Sequence, residues 1–263
     1  MTAAPRPGPL DGGRLRRRVL AGETTLGTFV GTASAVTGEV CAAAGFDWLL
    51  VDLEHGAGGE DQVRGLVPVA AAYGVPTIVR VESAARIRIG RVLDLGAAGV
   101  MLPRLNSAAE VALALAHLRY PPEGDRGVAT YNRACRFGLD PGALERAGEE
   151  LLGVVQIESA AAVAEATDIA RLPGADVLFV GPRDLSHDLG VPGNLTAPDF
   201  VSALDKVRAA AVDHGKACGL LVNDGAAAAA RLAEGWTFLA IGSDSTLLAA
   251  AAISSLDRAR RKD

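Results

Sequence analysis

Eight short apolar runs, each followed by a longer stretch in which hydrophobic and polar positions alternate with a helical period, organise this chain. The runs cover residues 26–30, 48–52, 77–81, 99–102, 152–157, 177–180, 219–222 and 238–241. They are continuously apolar rather than alternating, which is the pattern of parallel strands buried on both faces. The stretches between them predict helices over 37–44, 61–73, 85–95, 108–118, 160–170, 199–214, 226–234 and 246–260. Eight strand–helix units in order predict an α/β protein, a single-domain (β/α)8 TIM barrel over 26–263, preceded by a tail and short helix over 1–25. A doubly wound open sheet is the alternative that the same units allow.

The punctuation supports these boundaries. Gly45, Gly74, Gly96, Gly174, Gly215 and Gly235 fall between a helix and the next strand, where a left-handed cap is wanted. Asp61, Ser107, Ser159 and Asp199 are suited to cap helix N-termini. The connection over 119–151 breaks the rhythm; rich in Gly, Pro and Arg and without an evident helix, it reads as a lid or an oligomer contact.

Composition narrows the class. The chain has 263 residues, 49% hydrophobic and 4% aromatic, which suits one large aliphatic core. A net charge of −5 and a pI near 5.5 give no electrostatic reason to expect nucleic acid or an anionic membrane, and point to small-molecule partners. No apolar run approaches the ~20 residues that span a bilayer. Cys41, Cys135 and Cys218 are scattered and form no CxxC pair, so neither a disulfide framework nor a zinc site is indicated and a reduced, cytoplasmic setting is expected. The arginine cluster near residue 16 is followed by an apolar stretch that ends at Glu23, so it is not read as a leader.

In a (β/α)8 enzyme the chemistry lies at the C-terminal ends of the strands. The second run ends in DLEHG, giving Asp52, Glu54 and His55; the third gives Arg80; the fifth gives Gln156 and Glu158; the sixth ends in Gly181, Pro182, Arg183 and Asp184. Glu158 and Asp184 each follow a buried run, as two carboxylates that hold a hard divalent cation would. The competing reading makes both of them helix caps. Asp52, three residues before His55, is placed to orient that imidazole and raise its basicity. Arg80 is a charge in an apolar strand and requires either a structural carboxylate or an anionic ligand. Glu54 is left unassigned between a third metal ligand and an acceptor for a neighbouring group of the site, and His187 reads as a surface residue.

Absences discriminate as well. The three lysines are Lys206, in a predicted helix, Lys216, before the seventh strand, and Lys262, in the tail. None lies in the barrel mouth, which disfavours Schiff-base aldol chemistry. Asp224 and Asp244 stand where such barrels often hold phosphate, and no GxGxxG follows a strand.

FDWLLVDLEHG, LDLGAAGVMLPRLNSAAE, RYPPEGDRG, VVQIES and VGPRDLSHDLG, in this order, resemble the metal-dependent 2-keto-3-deoxy sugar acid and 2,4-dihydroxyhept-2-ene-1,7-dioate aldolase family of the phosphoenolpyruvate/pyruvate barrel superfamily. The resemblance implies that Glu158 and Asp184 bind a divalent cation (magnesium, manganese or cobalt). It implies that His55 is the acid/base residue with Asp52 as its partner, and that Arg80 contacts the pyruvate oxygen. Gln156 would lie near the keto acid, with Gly181, Pro182 and the amides of Arg183 and Asp184 around its carboxylate. Many relatives carry a small residue where this chain has Arg183. The implied reaction is reversible cleavage of a 4-hydroxy-2-oxo acid to pyruvate and an aldehyde, in a homo-oligomer, often a hexamer, with the last helix packed on a neighbour. Citrate- or malyl-CoA-type lyases and oxaloacetate decarboxylases share the metal pair and are the enzymatic alternatives; a non-catalytic barrel is the third reading.

Overall fold

The computed structural model describes residues 12–260. Eight parallel strands pair in chain order and close on themselves: β1 (Thr25–Val30), β2 (Trp48–Asp52), β3 (Thr77–Arg80), β4 (Gly99–Leu102), β5 (Leu152–Ile157), β6 (Val177–Val180), β7 (Ala217–Val222) and β8 (Phe238–Ser243). Closure between β1 and β8 decides the fold for the (β/α)8 barrel and against the open sheet. The strands match the apolar runs to within two residues at each end.

Helices α1 (Gly12–Leu20), α2 (Ala35–Ala43), α3 (Glu60–Ala72), α4 (Arg86–Asp94), α5 (Ala108–Ala116) and α6 (Ala143–Glu150) precede β5. After it come α7 (Ala160–Ala164), α8 (Ala166–Arg171), α9 (Pro182–Asp188), α10 (Pro198–Asp213), α11 (Gly225–Ala233) and α12 (Asp244–Arg260). All six glycines expected at helix ends adopt positive φ, the conformation a Cβ disfavours. Ser107 and Ser159 cap α5 and α7 through their hydroxyls. Asp61 and Asp199 do not cap, because α3 and α10 each start one residue earlier than expected and are capped by Gly59 and Ala197.

The barrel interior is a small apolar core of its own, with Trp48, Phe179 and Phe238 among its fully buried members. Trp48 stacks on Phe238 with ring centroids 4.3 Å apart. A Cβ at position 27 would lie 2.1 Å from the Trp48 ring, so only glycine lets β1 pass beneath it. The larger core lies between strands and helices and is aliphatic, as the composition indicates.

Helix α1 closes the N-terminal end of the barrel. Leu15 and Val19 are buried in the interior core. The guanidinium of Arg16 grips both oxygens of buried Asp176 at 2.8 and 3.0 Å and also donates to the Glu149 carbonyl. The 119–151 connection is therefore not free of structure: α6 packs against α1 and helps to form this floor. Residues 1–11 and Lys262 fall outside the described residues. Lys206 lies on α10, and Lys216, just before β7, donates to the Leu172 carbonyl, so both are away from the mouth, as expected.

Candidate active site

All the residues singled out at strand ends gather at the C-terminal mouth. Asp52 and Arg80 end β2 and β3, and their Cα atoms are register partners. Both are buried, and both oxygens of Asp52 are used: Oδ1 accepts from Arg80 Nε at 2.9 Å and Oδ2 from Nη2 at 2.7 Å. Oδ1 also accepts from the backbone amides of Glu54 and His55. Burial works against ionisation of Asp52, but the Arg80 guanidinium and the two amides outweigh it and hold the carboxyl below its usual range.

This corrects the expected pairing of Asp52 with the His55 imidazole. Asp52 contacts His55 through the main chain, and the carboxylate near the ring is that of Glu54, whose Oε2 is 4.0 Å from Nε2. The imidazole is well exposed in the turn after β2. Glu54 Oε2 also lies 3.2 Å from Arg80 Nη1. Arg80 therefore sits between two carboxylates of the β2 end, above the face of Phe29 at 5.2 Å.

Glu158 follows β5 and is buried; its Oε1 accepts from the Arg104 amide at 2.6 Å. To make that bond Arg104 adopts a φ of 56°, uncommon for a bulky residue and typical of a functional rim. Asp184 is exposed on the first turn of α9. Neither carboxylate caps a helix: Ser159 caps α7, and Gly181 stands at the start of α9 with no side-chain cap. The capping alternative is thereby removed. Burial pushes the Glu158 carboxyl up, and the charges of Glu54 and Asp184 add to the push against the Arg104 amide and Arg80.

Gly181 faces Glu158 and Gln156. A Cβ there would stand 3.0 Å from both Glu158 Oε2 and Gln156 Nε2, so glycine keeps a small hollow open beside the carboxylate. Gln156 is buried with its Oε1 unpartnered. Pro182 is the first residue of α9, and Arg183 is exposed beside Asp184. Among the described residues no group of three His, Cys, Asp or Glu side chains forms a ready-made cage. Even so, the donor chemistry fits a hard cation. It offers two carboxylates that follow neighbouring strands, an open hollow beside one of them, and positions left to water and substrate.

The remaining acidic residues of the mouth are structural. Asp244 is clamped by the hydroxyls of Thr32 and Thr37 and by the Gly31 and Ser245 amides, tying β8 to the loop after β1. Asp224 caps α11. His187 is exposed on α9, as expected.

The model of the HpcH/HpaI aldolase/citrate lyase family matches residues 25–251. The chain belongs to this family. It is therefore a carbon–carbon lyase of the aldolase type. It is 35% identical over 234 residues to a pyruvate aldolase of Rhizobium etli, covering 89% of this chain and 92% of the relative. Identity to a 5-keto-4-deoxy-D-glucarate aldolase of Salmonella paratyphi C is 37%, covering 88% and 90%. The crystal structure of a family protein from Burkholderia cenocepacia J2315 superposes with a TM-score of 0.91 at 34% identity, over 95% of this chain and all of the other.

Proposed function

We propose that this lyase is a divalent-metal-dependent pyruvate aldolase that cleaves a 4-hydroxy-2-oxo acid reversibly to pyruvate and an aldehyde. The observation that carries the reading is the Glu158–Asp184 pair: two carboxylates that follow neighbouring strands, neither spent on a cap, with a hollow at Gly181 beside Glu158. Magnesium, manganese or cobalt held by these two residues would supply the positive charge that draws electrons toward the substrate's keto oxygen.

The chain's own groups complete the chemistry. Arg80 spends Nε, Nη2 and Nη1 on Asp52 and Glu54 but retains further N–H groups for charge developing on that oxygen, and it is held rigidly for the purpose. His55 stands exposed in the mouth, where it takes the proton from the C4 hydroxyl as the C3–C4 bond breaks. Gln156 carries an unpartnered oxygen and an amide beside Gly181, suited to orient the oxo acid. Gly181, Pro182 and the amides of Arg183 and Asp184 are assigned to the substrate carboxylate.

The test is a panel of aldehydes with pyruvate and manganese, with the chain first stripped of metal. Product that appears only after manganese is restored supports the reading. Full activity after exhaustive chelation overturns the metal assignment. No product with any aldehyde favours the citrate-lyase-like or decarboxylase alternatives.

The same proposal includes a homo-oligomer, up to a hexamer. Helix α12 presents Leu248, Ile253 and Leu256 to solvent, and α2 presents Val36 and Val40; a second copy of the chain is the proposed cover, and sedimentation equilibrium reads the outcome. A cytoplasmic setting is proposed on the three free, buried cysteines. No helix among the described residues is long and apolar enough to cross a membrane.

A further inference from the structure

Glu54 stands between the Arg80 guanidinium and the His55 imidazole, and the turn after β2 fixes it there. Asp52 Oδ1 gathers the amides of Glu54 and His55. The turn is so tight that a Cβ at Gly56 would lie 2.1 Å from the Asp52 carbonyl oxygen. Glu54 Oε2 is thus held 3.2 Å from Arg80 Nη1 and 4.0 Å from His55 Nε2. That oxygen is buried without a hydrogen-bond partner. Its ion pair with Arg80 Nη1 is its present compensation, and it keeps the capacity to accept a further N–H.

Two donors are within reach. Arg80 is already in ion-pair contact, and the His55 ring needs to move only about 1 Å to come within hydrogen-bond distance. Asp52 cannot serve the ring, since both of its oxygens are taken. We propose that Glu54 is the positioning residue of this site: it holds the third nitrogen of Arg80 and accepts the ring N–H of His55, so that guanidinium and imidazole address the same oxo–hydroxy fragment. The inference rests on the aldolase reading above and deepens it. Glu54 acts through the two groups it holds, and its charge is what matters, because the guanidinium and an imidazole gaining a proton both favour a carboxylate over a neutral amide.

Full-length Glu54→Gln and Glu54→Asp, compared with the wild type, test this. The measurements are retro-aldol kcat and KM with manganese, manganese affinity of the protein alone, and melting temperature. In Glu54→Gln we expect kcat to fall roughly 10- to 100-fold, as for other groups that orient reacting residues. KM, manganese affinity and melting temperature should stay near wild type, because the contact matters in the transition state. Glu54→Asp, which keeps the charge, should recover much of the loss. Wild-type kcat in Glu54→Gln overturns the proposal; so does an equal loss of manganese affinity, which would make Glu54 a ligand, or no recovery in Glu54→Asp. Wild-type protein inactive on every 4-hydroxy-2-oxo acid is a separate result: it removes the aldolase reading, and this inference with it.

Discussion

Asp52 and Arg80 face one another across the β2–β3 register and meet through two parallel N–H···O bonds at 2.9 and 2.7 Å, both side chains buried. Such a fork is hard to substitute from either side, because removing one partner strands the other charge away from water. Asp52→Asn is therefore expected to lower stability by about 3 kcal/mol at neutral pH, in addition to its effect on activity. The sign with pH follows from the depressed carboxyl. Its stabilisation is fully present above the unfolded value of about 3.9 and is lost as pH falls through the lower folded value. Urea titrations should show a wild-type-to-mutant gap that is flat from pH 5 to 8 and narrows below about 4; a gap that closes already near neutrality would contradict the fork.

The imidazole behaves in the opposite way. The His55 side chain is exposed and 4.0 Å from its nearest carboxylate, too far for a hydrogen bond, so His55→Ala should leave stability within about 0.5 kcal/mol. Turnover should fall by about 100-fold or more, the usual contribution of a general base. Thermal melts and steady-state kinetics on the same preparation separate the two effects. Arg80→Ala is a poorer probe, since it leaves Asp52 buried and unpaired.

Metal binding should be linked to protons through Glu158. Its carboxyl is pushed up by burial and by the charges of Glu54 and Asp184. A raised folded value means that the metal-free protein is favoured below the ordinary value of about 4.3 and loses that contribution as pH rises through the folded one. A divalent cation reverses the penalty. Manganese should raise the melting temperature more at pH 7 than at pH 5, and Glu158→Gln should abolish the difference between the two pH values.

Position 181 offers a steric test that leaves every charge in place. In Gly181→Ala the new methyl would press on Glu158 Oε2 and Gln156 Nε2, each 3.0 Å away. The backbone there has an ordinary φ of −90°, so folding should be little affected. Calorimetry should show weaker manganese binding with an unchanged melting temperature for the metal-free protein. Unchanged affinity would place the cation elsewhere.

Much of this site is legible in the chain because parallel barrel strands are apolar throughout, so a charged residue at their C-terminal edge stands out. Glu158, Asp184, Arg80 and His55 are found that way. What misled was proximity in sequence. Asp52 and His55 are three residues apart and invite pairing, whereas the register that brings Asp52 opposite Arg80, 28 residues away, exists only once β2 and β3 are aligned. Glu54 stays unassigned from sequence for the same reason: its ion-pair partner Arg80 is on another strand. The missed helices are short or unusual in position. Helix α6 is short and mostly polar and is placed by its packing on α1, and α9 has seven residues beginning at a proline. Asp61 and Asp199 have the chemistry of caps but sit two residues after the capping positions, Gly59 and Ala197.

The plug at the base of the barrel has a practical side. With Leu15 and Val19 packed against the interior core from below and Arg16 latched to Asp176, the N-terminal end of the barrel is sealed and its interior is filled by side chains. Whatever reaches Glu158, Asp184 and His55 must therefore enter and leave on the C-terminal side, a single doorway. Helix α1 also brings the start of the described chain to the end opposite that doorway. An N-terminal anchor to a surface or carrier would thus leave the working end facing outward.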